Sequence, residues 1–95
     1  MASRDEFVEK LKSQIDALNN EVDELEARAR ETSGELRVEL DKQRERVEEQ
    51  REQFYTRLQA LRDAGEGNWE RVKGEAEHAL KALHNSVNYF RSHFR

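Results

Sequence analysis

Cysteine and proline are both missing from this 95-residue chain, and apolar residues are sparse. Without cysteine there is no disulfide framework and no thiolate chemistry, and the redox compartment stays open. Leu, Ile, Val and Phe together number 20 of 95 residues, close to the composition at which chains stop folding alone. A core of ordinary globular size is therefore not expected, and buried area has to come from a neighbouring helix or another subunit. No apolar run approaches the roughly 20 residues that span a bilayer. Met1 is followed by Ala-Ser-Arg-Asp instead of an apolar signal segment, so the expected compartment is the cytoplasm.

Charge is what the chain has in quantity. Charged residues make up 40% of it, yet the net charge is only −4, so the two signs are mixed and do not repel as a block. Mixed charge, no proline and a thin apolar stripe favour helices that fold by associating over a disordered tail.

The stripe opens with Val8, Leu11, Ile15, Leu18, Val22, Leu25 and Ala29, at alternating spacings of three and four. That is the period of α-helices wrapped around one another, and it needs a partner surface. Val8, Ile15 and Val22 fall at one seam position and Leu11, Leu18 and Leu25 at the other, a pattern that in parallel pairs favours two strands. Ser3-Arg4-Asp5-Glu6 has the form of a capping box, with two acids suited to the positive end of the helix dipole. Glu6–Lys10, Glu24–Arg28 and Glu26–Arg30 are acid-first pairs four apart, each contributing about 0.2–0.5 kcal/mol.

Further along, Leu25, Leu36, Val47 and Leu58 are eleven residues apart, and Ala29 and Leu40 repeat the interval. Eleven residues in three turns relaxes the left-handed supercoil of the heptad stretch. Between Arg37 and Gln53 the apolar residues are Val38, Leu40 and Val47 alone, which reads as a thin, wet shaft. Thr32-Ser33-Gly34-Glu35 permits two readings. It can cap a new helix, giving three helices of similar length and a three-helix bundle. It can also be a soft spot in one helix, at about 1 kcal/mol for the glycine. The unbroken eleven-residue phase and the thin shaft favour continuity.

Asp63-Ala-Gly-Glu-Gly-Asn68 is a clear break, with Gly65 suited to end one helix and Asn68 to cap the next. The helix that follows carries Trp69, Val72, Ala76, Leu80, Leu83, Val87, Phe90 and Phe94 at spacings of three and four. The expected fold is all-α: a helical hairpin of one long and one short amphipathic helix, self-associating as a coiled coil or helical bundle. Residues 1–63 form the long coiled-coil helix, 64–67 the turn, and 68–95 the short aromatic-rich helix. The oligomer interface is expected at Val8, Leu11, Ile15, Leu18, Val22 and Leu25, most simply in a homodimer, with a tetramer also open.

Candidate sites are few. Residues 1–67 hold twelve Lys/Arg against eighteen Asp/Glu, whereas residues 68–95 hold five against three, with His78, His84 and His93. The face of Trp69, Val72, Leu80, Leu83, Val87, Phe90 and Phe94 suits helix–helix packing. Alternatively it suits an anionic membrane surface, with Arg91 and Arg95 reaching phosphates. Glu75 and His78 have the Glu-x-x-His spacing of carboxylate-bridged metal bundles, but no second copy accompanies them and the solvated-face reading is preferred. Lys42, Arg44 and Arg46 are interleaved with Asp41, Glu45 and Glu48, so nucleic acid is not an expected partner. No phosphate loop, nucleophile elbow or zinc-ligand pair is present. Catalysis, a metal and a cofactor are not expected.

Two stretches, Ser-Arg-Asp-Glu-Phe-Val-Glu-Lys-Leu-Lys (3–12) continuing into Asp-Glu-Leu-Glu-Ala-Arg-Ala (23–29), and Gly-Asn-Trp-Glu-Arg-Val-Lys-Gly-Glu-Ala-Glu (67–77), carry a resemblance. Together they resemble small bacterial coiled-coil-domain proteins of unknown function. The resemblance implies a bacterial, cytosolic helical protein and carries over no catalytic residues. The eleven-residue interval is also similar to that of lipid-binding apolipoprotein-like helices, although those have a broader apolar face than residues 37–53. The functional expectation is a structural or interaction protein, a scaffold or spacer acting through homo-oligomeric association, with a protein partner also open. The alternative is a peripheral, stress-associated lipid-surface binder using the C-terminal helix.

Overall fold

The computed structural model describes residues 3–94, with Ser3 described by its backbone alone. The chain is all-α, with no strand among the described residues. Helix α1 runs Ser3–Arg30, α2 runs Glu35–Asp63, and α3 runs Trp69–Ser92 after a short 3-10 turn, Glu66–Asn68. The three helices stack side by side, up-down-up, in a body measuring 52 × 18 × 17 Å. Arg4 at the start of α1 meets the carbonyl of Ala64 just past α2. Arg28, near the other end of α1, lies over the ring of Phe94. The capping-box pairing of Ser3 with Glu6 and the phosphate role of Arg95 fall on side chains outside the described residues.

The expectation of one long helix over residues 1–63 is corrected. Helix α1 stops at Arg30 and the chain reverses over residues 31–34. The physical reason is local. Gly34 has φ +76° and ψ −153°, a region open essentially to glycine alone, and it is the residue that lets the backbone turn back. The amide of Glu31 donates to the Arg28 carbonyl and that of Thr32 to Ala29, tightening the last turn, while the Thr32 hydroxyl also donates to Arg28. Arg37, from the first turn of α2, donates Nη1 to the carbonyls of Arg30 and Thr32. Three of the carbonyls that the end of α1 leaves orphaned, those of Arg28, Ala29 and Arg30, are thereby paired. Neither Ser33 nor Gly34 caps α2 through a side chain. The fold has three helices of similar length where a two-helix hairpin was expected.

The thin stripe of α2 is enough because its neighbours come close. Among the three pairs, α2 and α3 approach most intimately, through Ala76 and Ala79, both buried on α3. Small side chains at a helix crossing let the axes draw together, so Leu40, Val47, Phe54 and Leu58 fill the space that wider helices would leave wet. Gln43, 9% exposed, completes the seam, and its amide is paired with Glu39. Among the described residues, every buried side-chain nitrogen and oxygen has a hydrogen-bond partner, as a stable interior requires.

Candidate functional site

The residues expected to join subunits lie inside this one chain. Leu11, Ile15, Leu18, Val22 and Leu25 are buried against α2 and α3, and Val8 is half-buried beside them. The reason is the fold-back at residues 31–34, which presents α2 and α3 of the same chain to the α1 seam. In this closed form the seam is occupied and offers no exposed ladder to a second copy.

The stripe of α3 is placed in the same core. Val72, Leu83, Val87 and Phe90 are buried, while Trp69, Leu80 and Phe94 are half-buried and pack against it. Tyr89 points away from the core, exposed, with its ring edge-on to His93. A membrane would meet this stripe only if α3 left the bundle.

Aromatic and cationic side chains fasten α1 at both ends. At one end Arg4 stacks 4.3 Å above Trp69, Trp69 packs edge-on to Phe7 at 6.0 Å, and Lys73 lies over Phe7 at 5.0 Å. At the other, Arg28 covers Phe94 at 4.7 Å, and Phe94 packs on Phe90. Such cation–π contacts contribute about 0.5–1 kcal/mol each when exposed. In the middle, Asn19 accepts from Arg51 Nη1 at 2.9 Å and donates to the Tyr55 hydroxyl at 3.0 Å. Glu21 pairs with Arg91, Glu26 with Arg44 and Glu39 with His93. The two arginine pairs are partly solvated surface contacts of small stabilising effect.

Between α1 and α3 lies an open trough of about 550 Å³. Phe7, Leu11, Leu18 and Leu80 give it an apolar floor, and Lys10 and His84 are among its polar walls. The trough lies where α1 stands further from α3 than α2 does.

Glu75 is engaged by two arginines, Arg57 at 3.7 Å and Arg71 at 3.3 Å, and His78 is exposed. No group of three or more His, Asp or Glu side chains is gathered to hold a metal among the described residues. Arg44 of the basic cluster turns toward Glu26 across the α1–α2 junction, while Lys42 and Arg46 stay in solvent. Among the described residues no helix is long and apolar enough to cross a membrane.

Three contributors were not singled out from the sequence. Arg37 holds the 31–34 turn, Phe7 joins the aromatic fastening, and Asn19 bridges two residues of α2. Phe7 stands next to the ladder in sequence, which was the one available signal for it. The roles of Arg37 and Asn19 depend on the fold-back and have no signature in spacing. Comparison with family models, with curated protein sequences and with solved structures gives no match.

Proposed function

We propose that this chain works through helix–helix association and not through a reaction: a small structural or interaction module whose helices pair with other helices, those of its own copies first. The observation that carries this reading is the state of α1. Its face is a pure apolar seam, it is set further from the other two helices than they are from each other, and the trough along it keeps an apolar floor open. A helix of that kind is the element most readily exchanged for an equivalent one. The test is light-scattering mass across a wide concentration range, before and after unfolding and refolding. Mass rising to a whole multiple of the chain supports the reading. One-chain mass at every concentration and after refolding would remove it.

A second reading has α3 lying on an anionic membrane surface, favoured by its excess of Lys/Arg over Asp/Glu. Because Val72, Leu83, Val87 and Phe90 are buried, that reading requires the bundle to open. Flotation with anionic vesicles at physiological salt supports it if the protein rises with the lipid. Absence of co-flotation at low salt as well would dispose of it.

A further inference from the structure

The buried faces of α1 and α2 share one direction. On a continuous helix at 3.6 residues per turn, Leu11, Ile15, Leu18, Val22, Leu25 and Ala29 point one way. Leu40, Gln43, Val47, Phe54, Leu58 and Leu61 point within about 10° of it. A closed turn imposes no such agreement, because the direction of the α2 face is then set by the dihedrals of residues 31–34. The seam steps from Ala29 through Thr32 and Leu36 to Leu40, a single eleven-residue interval inside a heptad ladder.

Leu36 adds a second observation. It lies within roughly 20° of the shared face, yet in the closed chain it is 44% exposed. The closed form leaves uncovered a leucine that a continuous seam would use. The turn itself makes little tertiary contact. Glu31, Ser33, Gly34 and Glu35 are exposed, and nothing lies within 4 Å of where a Cβ on Gly34 would sit. It is held by backbone bonds within its own turn, by the Thr32 hydroxyl and by Arg37. Short hinges of this sort are where neighbouring copies exchange elements.

We propose that residues 31–34 are an exchange hinge, and that two copies of this chain trade α1 to form an antiparallel dimer in which residues 3–63 become one continuous helix. Each α1 then packs on the α2 and α3 of its partner through the seam it uses in the closed chain. The fastening of Arg4, Phe7 and Trp69 at one end and of Arg28 and Phe94 at the other is rebuilt between subunits. Leu36, one turn from the hinge, comes close to the two-fold axis and is covered there. The product is a rod about 90 Å long at 1.5 Å per residue, against 52 Å for the closed chain. This inference rests on the helix-association reading and specifies how the association is made.

Gly34→Ala discriminates between the two forms. Alanine is strained at the Gly34 dihedrals, which only the closed chain needs, and it favours the continuous helix. Each hinge is expected to shift by about tenfold or more, and the two hinges of a dimer by about a hundredfold in the monomer–dimer constant. Light scattering gives the mass and small-angle X-ray scattering the length of the same sample. The expected result is a dimer near 90 Å for Gly34→Ala, and a return to closed monomer when a flexible Gly/Ser segment is inserted after Ser33 in that variant. If Gly34→Ala does not fold, Arg37→Ala, which keeps the glycine and releases the Arg30 and Thr32 carbonyls, is expected to raise the dimer fraction. The inference is overturned if the folded variant stays monomeric, or if its dimer is no longer than two closed bundles side by side. The second result leaves helix association standing, whereas one-chain mass for wild type and variants alike removes both.

Discussion

Truncating Leu18 and Leu83 to alanine tests whether the α1 seam is closed inside one chain. Leu83 is at 0% exposure on α3, enclosed on all sides, whereas Leu18 is at 7% and lines the trough between α1 and α3. Removing a buried leucine to alanine costs about 2–5 kcal/mol, the low end applying where neighbours or water can fill the space. Leu18→Ala is therefore expected to cost about 2 kcal/mol and Leu83→Ala about 4 kcal/mol. In a domain of this size each kcal/mol lowers the melting midpoint by about 4–8 °C, which places Leu18→Ala about 8–16 °C below wild type and Leu83→Ala about twice as far. The assay is thermal and urea unfolding followed by far-ultraviolet circular dichroism, at dilution and again after a tenfold further dilution. A seam closed within one chain gives midpoints independent of concentration. A seam made only between subunits loses about 1.4 kcal/mol of stability for each tenfold dilution. Midpoints that fall on dilution in a sample whose scattering mass is already that of one chain, or equal losses for the two leucines, would refute the closed three-helix packing.

Other expectations follow from the same contacts. Arg4→Ala removes the cation above Trp69 and the bond to the Ala64 carbonyl; it is expected to cost about 1 kcal/mol and to shift the tryptophan emission to longer wavelength. Asn19→Ala leaves Arg51 and Tyr55 without their shared partner, at about 1–2 kcal/mol in urea unfolding. Glu75→Gln weakens two surface pairs with Arg57 and Arg71 and is expected to change stability by less than about 1 kcal/mol. Phe90→Asp places a carboxylate where no solvent reaches, so loss of far-ultraviolet helix signal is expected whatever the lipid conditions, and Arg91→Glu is the better variant for vesicle binding.

The all-α class, the break after Asp63 and the apolar face of α3 were legible because each has a local signature: composition, a Gly-x-Gly segment, and spacings of three and four. The turn at 31–34 was not. Thr32-Ser33-Gly34 permits a cap or a soft spot, the apolar spacing favours the soft spot, and what decides for the turn is present only in the folded chain. Arg37 reaching back to Arg30, and Ala76 and Ala79 drawing α3 onto α2 so that Leu40 and Val47 suffice, appear only once the chain has folded. Among the candidate sites, the pairing of Glu75 with Arg71 four residues earlier is a local spacing, whereas its pairing with Arg57 of α2 was hidden until the chain folded.

The misplacement of one helix boundary follows from the physics of the seam. A heptad ladder specifies that a face must be covered by another helix, and it is silent on whether that helix belongs to the same chain. Here the faces of α1 and α2 are in phase, so a closed bundle and a rod with exchanged helices bury nearly the same side chains: Leu11 through Ala29 on one side, Leu40 through Leu61 on the other. The free-energy difference between them is thus concentrated in the few residues that change conformation and in the entropy of bringing two chains together. Gly34 lowers the cost of the turn, and Arg37 pairs carbonyls that the turn exposes. Leu36 pulls the other way, because it is exposed in the closed chain and the proposed rod would cover it. Leu36→Glu should consequently raise the fraction of closed monomer while leaving the melting midpoint of that monomer within about 0.5 kcal/mol of wild type, as for other exposed positions. A clear loss of monomer stability would mean that Leu36 already contributes to the closed core, and the balance assigned to this hinge would fail with it.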